Sequence, residues 1–175
     1  KPPVYKIDLS NPADRVFPLI LQQQAIHNGA TDFLVTDNMR ITFAEADTIT
    51  DSLATGLAEL GVGKGDIVSL MLGNRPEMVL LTLAINKLGA IWTPINGDYK
   101  GQWLLDNLLM ARSKILITDD EYQQRIAEIE DQLGLERIVL LSDTGNTALK
   151  NPVYYSDLLA CPAIKRDYSD MRYGD

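Results

Sequence analysis

Cysteine and histidine occur once each, as Cys161 and His27, in 175 residues. One thiol cannot close an internal disulfide, and the two residues cannot assemble a zinc site of Cys/His spacing. Long apolar runs are also missing. The least interrupted one, Met78 to Ile85, falls far short of the ~20 residues a transmembrane segment requires. No basic-plus-apolar leader opens the chain at Lys1, so an aqueous, reducing, cytoplasmic setting is the expectation. Positive charge is in deficit: 16 Lys+Arg stand against 24 Asp+Glu, a formal net charge of −8. A nucleic-acid partner is therefore disfavoured, because phosphate recognition needs clustered cations that displace counterions. With 46% hydrophobic and 23% charged residues, the composition excludes disorder, collagen and coiled coil. The length suits one domain or a large piece of one.

What is present is a regular exchange of helix-period and strand-like segments. The spacing divides the chain into an irregular start over 1–15, an α/β region over 16–142 and a loop-rich tail over 143–175. Within the start, Lys1 to Pro12 carries three prolines. Val16 to His27 reads as an amphipathic helix stopped by Asn28-Gly29. Phe33 to Thr36 and Ile41 to Phe43 flank the turn signal Asp37-Asn38 and predict a short hairpin. Thr42 and Glu45 form a capping box. Behind it Ala46, Ile49, Leu53, Leu57 and Leu60 make one apolar stripe. Burying each of its four large side chains is worth roughly 1.5–3 kcal/mol before entropy is charged, so this face must meet a core.

Gly61 is placed for a left-handed helix end, and Ile67 to Leu72 is the next strand. Asn74 and Glu77, with Pro76 in the first turn, open a helix to Leu88. Strand Ile91 to Ile95, helix Gly101 to Arg112 and strand Lys114 to Thr118 follow. A helix capped by Asp119 or Asp120 is expected to run to Leu133, with Tyr122, Ile126, Ile129 and Leu133 buried. Arg137 to Leu141 closes the series, and Ser156 to Leu159 fits one further helical turn. Successive helix–strand units with short links predict right-handed crossovers and a mainly parallel sheet flanked by helices, an α/β fold. The near-continuous apolar strands agree, since both of their faces must be covered.

Few residues offer chemistry on their own. Gly61, Gly63 and Gly65 follow a helix and open a strand, the reverse of a phosphate-binding loop, so they read as cap and turn. His27 sits where a cation favours a helix end. Cys161 beside Pro162 reads as a bystander thiol. Asp119-Asp120-Glu121 is either an acidic cluster or the charge expected at a helix start. Trp92, Tyr99 and Trp103 either line a pocket at the ligand-binding edge of the sheet or pack in the core.

An ordered string of motifs goes beyond this pattern. It runs Ile-Thr-Phe-Ala-Glu-Ala (41–46), Leu-Gly-Val-Gly-Lys-Gly-Asp-Ile-Val (60–68), Asn-Arg-Pro-Glu (74–77), Lys-Leu-Gly-Ala-Ile-Trp-Thr-Pro-Ile-Asn (87–96) and Lys-Ile-Leu-Ile-Thr-Asp (114–119). Over about residues 16 to 142 it resembles the first part of the adenylate-forming superfamily: acyl-CoA synthetases, peptide-synthetase adenylation domains and luciferases. The segment around Trp92 is most similar to the acyl-CoA synthetases. Adenylation domains usually have Asp where Asn96 stands.

The resemblance implies the N-terminal portion of the large domain of that fold. It also implies a parent enzyme using ATP, Mg2+ and CoA on a small-molecule carboxylate, a fatty or related acid. The family's Ser/Thr/Gly-rich phosphate loop ending in Pro-Lys has no counterpart in the sequence, and neither do its later magnesium- and ribose-binding acids. The expectation is therefore a truncated fragment, inactive by itself and prone to self-association through a sheet edge left open after Arg137 to Leu141. The resemblance further implies Lys87, the basic residue before Leu-Gly-Ala, as a contact for the nucleotide phosphates of CoA. The alternative is a solvated lysine at a helix C-terminus. A fragment of another adenylate-forming ligase and a non-catalytic α/β docking module stay open beside this reading. A flavodoxin-like nucleotide module would need a glycine-rich loop after a strand, which is absent.

Overall fold

The computed structural model describes residues 7–142 and 144–172. The expected irregular start over Lys1 to Pro12 thus lies outside the described residues as far as residue 6, as do Asp143 and the last three residues. A short 3₁₀ turn, Pro12–Arg15, leads into α1 (Phe17–Asn28), whose first turn accepts Pro18 because no donor is lost there. The hairpin β1 (Asp32–Val35) and β2 (Arg40–Thr42) is antiparallel. It delivers Thr42 to the start of α2 (Phe43–Glu59), where the capping box closes in both directions.

α2 ends at Gly61, whose φ of +90° suits a residue without Cβ. The chain then builds β3 (Ile67–Met71), α3 (Pro76–Lys87), β4 (Ile91–Pro94), α4 (Gly101–Ala111) and β5 (Ile115–Asp119). It continues through α5 (Gln123–Ala127), α6 (Glu130–Leu133), β6 (Arg137–Leu141), β7 (Val153–Tyr154) and α7 (Tyr155–Leu159). The five strands β3 to β7 form one parallel sheet in the order β4-β3-β5-β6-β7.

Side chains alternate across this sheet as the pleat requires. Val68, Leu70, Ile115, Ile117, Val139 and Leu141 enter a core with α1, α2, α3 and Leu158 of α7. Met71, Leu116, Ile138 and Leu140 face the other way and pack with α4, α5 and α6. Helices on both faces make a three-layer α/β/α unit, so the fold class read from the sequence holds. Leu53 and Leu57 are fully buried, whereas Ile49 and Leu60, at the margins of the same stripe, are only partly covered.

Four local expectations are corrected. The single helix to Leu133 is two short ones, because backbone helicity breaks at Ile129 while Ile126, Ile129 and Leu133 stay on the core. Asp119 caps neither, since its carboxylate is engaged across the sheet. Asn74 is not the cap of α3; the N-cap is Arg75, with no side-chain cap, and Glu77 pairs with the Arg75 guanidinium instead. The sheet does not end at β6: β7 pairs with it, Val139 opposite Val153 and Leu140 opposite Tyr154, so the free edges are β4 and β7. Two residues are too short a run to announce a strand in sequence. Pro94 on edge strand β4 has no N–H to offer a neighbour, which blunts that edge.

Candidate functional site

The strand order reverses between β3 and β5: the chain leaves β3 for β4 on one side and returns to β5 on the other. Open parallel sheets bind ligands beyond the carboxyl ends of the strands at such a point. Here the loops after β3 and β5 border a shallow, open cavity of about 350 Å³ lined by Gly73, Asn74, Arg75, Asp119, Asp120 and Glu121. Asp119 ties its two sides together. One carboxylate oxygen accepts the Gly73 N–H at 2.9 Å and the other accepts the Glu121 N–H at 3.1 Å.

Arg75 donates from Nε and Nη2 to Glu77 at 2.9 and 3.2 Å. Burial opposes ionisation of Glu77, but the guanidinium outweighs it and holds the carboxyl below the ordinary range. A second cavity, of about 120 Å³, adjoins the same ion pair, with Tyr154, Tyr155 and Ser142 on its far side. Burial, helped by the Glu77 charge, pushes the Tyr155 phenol up and keeps it protonated. The first cavity sets three carboxylates against one guanidinium. By itself this lining repels a phosphate chain instead of cradling it.

The other residues singled out in sequence are dispersed. Gly61, Gly63 and Gly65 turn the chain at the opposite, amino edge of β3, where Gly63 N–H bonds Asp66 and Lys114 bridges Asp66 and the Gly61 carbonyl. His27 lies in the last turn of α1. The Cys161 thiol faces Glu59 at 3.7 Å and the Asp157 carbonyl at 3.4 Å. Burial and the Glu59 charge push it up, away from the thiolate form.

The three aromatics form no common pocket and are not all core. Tyr99 packs on the α4 side and meets Trp103 edge-on at 5.8 Å, Trp103 is 71% exposed, and Trp92 lies exposed on edge strand β4. Among the described residues, no group of three or more His, Cys, Asp or Glu is placed to hold a metal ion. No described helix is long and apolar enough to cross a membrane.

Lys87 is not a solvated lysine. It is 2% exposed and buried against α2. Its three ammonium donors are all used: the Asp47 carbonyl at 3.0 Å, Asp47 Oδ1 at 2.7 Å and Asp51 Oδ1 at 2.6 Å. Lys165 completes the cluster, bonded to Asp47 Oδ2 and 3.0 Å from Asp51 Oδ2. Burial works against ionised Asp47, but the Lys165 and Lys87 hydrogen bonds overcome it and hold its carboxyl low. Sequence did carry a signal for this cluster. Asp47, Asp51 and Thr55 recur at i, i+4 and i+8 beside the apolar stripe of α2, a row of polar groups that burial forces to find a cation.

Comparison with known proteins supplies what this geometry lacks. The sequence profile of the AMP-binding enzyme family matches residues 21–166. A medium/long-chain-fatty-acid–CoA ligase of Mycobacterium tuberculosis is 34% identical over 109 residues, 62% of this chain and 18% of that protein. A 4-coumarate–CoA ligase of Vanilla planifolia is 26% identical over 131 residues, 75% of this chain and 23% of that protein. The chain thus spans about a fifth of the length of the curated relatives it matches.

Among solved structures, an anthranilate–CoA ligase in complex with anthranoyl-AMP superposes with a TM-score of 0.74 at 25% identity. The match covers 93% of this chain and 29% of that one. Coronafacic acid ligase of Pectobacterium brasiliense superposes with a TM-score of 0.76 at 22% identity, covering 87% and 30%, a likeness of fold. With most of its length matched by the profile and its three-layer sheet shared with CoA ligases, this chain belongs to the AMP-binding family of adenylate-forming enzymes.

Proposed function

We propose that this chain is the N-terminal part of the large domain of an ATP-dependent acyl-CoA synthetase, which joins a carboxylate to AMP and passes the acyl group to the CoA thiol. A fatty or related carboxylate is the proposed substrate. The observation that carries this reading is the run Gly-Ala-Ile-Trp-Thr-Pro-Ile-Asn over 89–96, of the acyl-CoA synthetase form, within a chain whose matched relatives are named as CoA ligases. Structurally, that run is β4 and the loop leaving its carboxyl end, beside the crevice between β3 and β5.

The share of this chain in the reaction is architectural. Phosphoryl and adenylyl transfer need cations and backbone donors aimed at the transferring group. The crevice provides one guanidinium, already paired with Glu77, and no magnesium ligand set is assigned among the described residues. Lys87, with every donor spent on Asp47 and Asp51, holds α2 to α3 and has none left for a CoA phosphate in this arrangement. The test is the product of the gene carrying this sequence, purified at its natural length and given ATP, CoA and a panel of acids. CoA-dependent release of AMP with fatty or aromatic acids is expected. AMP formation with amino acids and no need for CoA would overturn the reading in favour of an adenylation domain.

A further inference from the structure

A cavity of about 250 Å³ opens where the start of α1 meets the turn from α3 into β4. Gly89 and Ala90, which line it, precede β4, so it lies at the amino edge of the sheet. The crevice between β3 and β5 is at the opposite, carboxyl edge. Val16 and Ala90, both buried, give the cavity an apolar base. Phe17 and Trp92 also line it, yet they remain 62% and 38% exposed. Two large aromatic side chains left in water at one cavity mark a surface that a ligand or partner covers.

The lining is also cationic. Arg15 and Arg172 border this cavity and no carboxylate does, whereas Glu77 lines the smaller cavity at the carboxyl edge and three carboxylates line the crevice. In a chain of net charge −8, that is a local reversal of sign. Arg15 donates Nε to the Leu9 carbonyl at 2.7 Å. Arg172 donates Nη1 to the carbonyls of Ser169 at 2.7 Å and Met171 at 3.0 Å. Both guanidinium groups have further partners. With five N–H donors each, what they bring to the cavity is charge and position, not an idle donor. The first turn of α1 has no acidic residue and no side-chain cap, so nothing there offsets the partial positive charge of its N–H groups. The Asn86 side chain lines the cavity too and makes no hydrogen bond to a described residue, so its amide offers one acceptor and two donors.

We propose that this cavity binds a small aromatic anion, with the ring against Phe17 and Trp92 and the phosphate or carboxylate group at Arg15 and Arg172. Arginine suits either anion, because its planar fork matches both. The volume is below the ~300–1,000 Å³ of pockets for drug-sized ligands, which fits one ring system with its anionic group at the mouth. Two sources carry that chemistry. A purine nucleoside monophosphate uses the Asn86 amide along its ring edge, and an aromatic carboxylate leaves that amide to water. The site is independent of the proposed ligase reaction and stands or falls apart from it.

The chain has two tryptophans, so Trp103→Phe leaves Trp92 as the only one and makes its fluorescence report on the cavity. AMP and cinnamate serve as the two anions, adenosine and cinnamyl alcohol as their uncharged counterparts, and inorganic phosphate as an anion without a ring. At least one of the two ring-bearing anions quenches Trp92 saturably, and its uncharged counterpart and phosphate each bind about tenfold or more weaker. Tighter binding of AMP identifies the nucleotide as the source, and tighter binding of cinnamate the carboxylate. Arg15→Gln weakens the bound anion about tenfold, and raising salt from about 20 to about 500 mM weakens it in the same direction. Calorimetric titration of the wild-type chain repeats the ligand and salt comparisons without a substitution, and it decides the matter if a variant fails to fold. No saturable binding of either anion below about 5 mM would overturn the proposal. So would binding that is indifferent to the ligand's charge, or calorimetric binding that survives Trp92→Ala unchanged, since the ligand then sits elsewhere.

Discussion

Replacing Lys87 by methionine keeps an unbranched apolar stem of nearly the same length and removes the charge together with its three hydrogen-bond donors. The wild-type ammonium is bonded to two carboxylates whose side chains are 5% and 1% exposed. Its loss leaves two buried anions facing Lys165 alone. Removing one partner of a buried ionic group costs about 3–5 kcal/mol, because the remaining charge is neither solvated nor paired. Against a total stability of about 5–15 kcal/mol, that is a large fraction. With a urea dependence of about 2 kcal/mol/M, the unfolding midpoint should fall by roughly 1.5–2.5 M at pH 7.

The pH dependence follows from Asp47. Its folded carboxyl is held low, so the pair contributes stability above the ordinary carboxylate value, and that contribution disappears as pH falls through the folded value. The gap between wild type and Lys87→Met should therefore narrow below about pH 4, where the unfolded carboxylates also take up protons. Urea titrations at pH 7 and in the acid range measure both. A variant within ~1 kcal/mol of wild type at pH 7, or a gap that ignores pH, would refute the reasoning.

Gly56 lies in the middle of α2, where an added Cβ would stand 2.8 Å from Leu158 Cα and 2.9 Å from its Cβ and Cγ. Alanine gains ~1 kcal/mol in helix propensity but forces α7 outward, an overpacking cost of ~1–3 kcal/mol. Gly56→Ala should lower Tm in a calorimetric scan, and a raised Tm would show that α7 yields freely. Trp103 and Met110 on α4, with Ile91 and Trp92 on edge strand β4, leave large apolar side chains in water. Sedimentation of the 175 residues should accordingly show association that grows with concentration, and a clean monomer at high concentration would contradict it.

Much of the layer architecture was legible because burial on two faces writes itself as apolar runs and three-four spacings: Leu53 and Leu57 on α2, Ile115 to Thr118 on β5. Local chemistry was legible where its partner is close in sequence, as with Thr42 and Glu45. It was lost where a distant partner outbid the near one. Asp119 has a helix to cap nearby, yet it binds Gly73 across the switch point. For the ion cluster the polar row Asp47, Asp51 and Thr55 on α2 was legible, and its cations were out of reach for the same reason. Asp47, Lys87 and Lys165 are 40 to 118 residues apart, and only folding discloses that they meet in one cluster against α2. At the crevice the resemblance was legible and the reactive equipment was not, since the sequence holds no Ser/Thr/Gly-rich loop ending in Pro-Lys.

The central claim is that these residues form a wall of the adenylating enzyme without its phosphate machinery. Isotope exchange between pyrophosphate and ATP, measured on the purified 175 residues with a fatty or aromatic acid present, tests it most directly. The account predicts exchange at the rate of buffer alone, and exchange above that rate would contradict it.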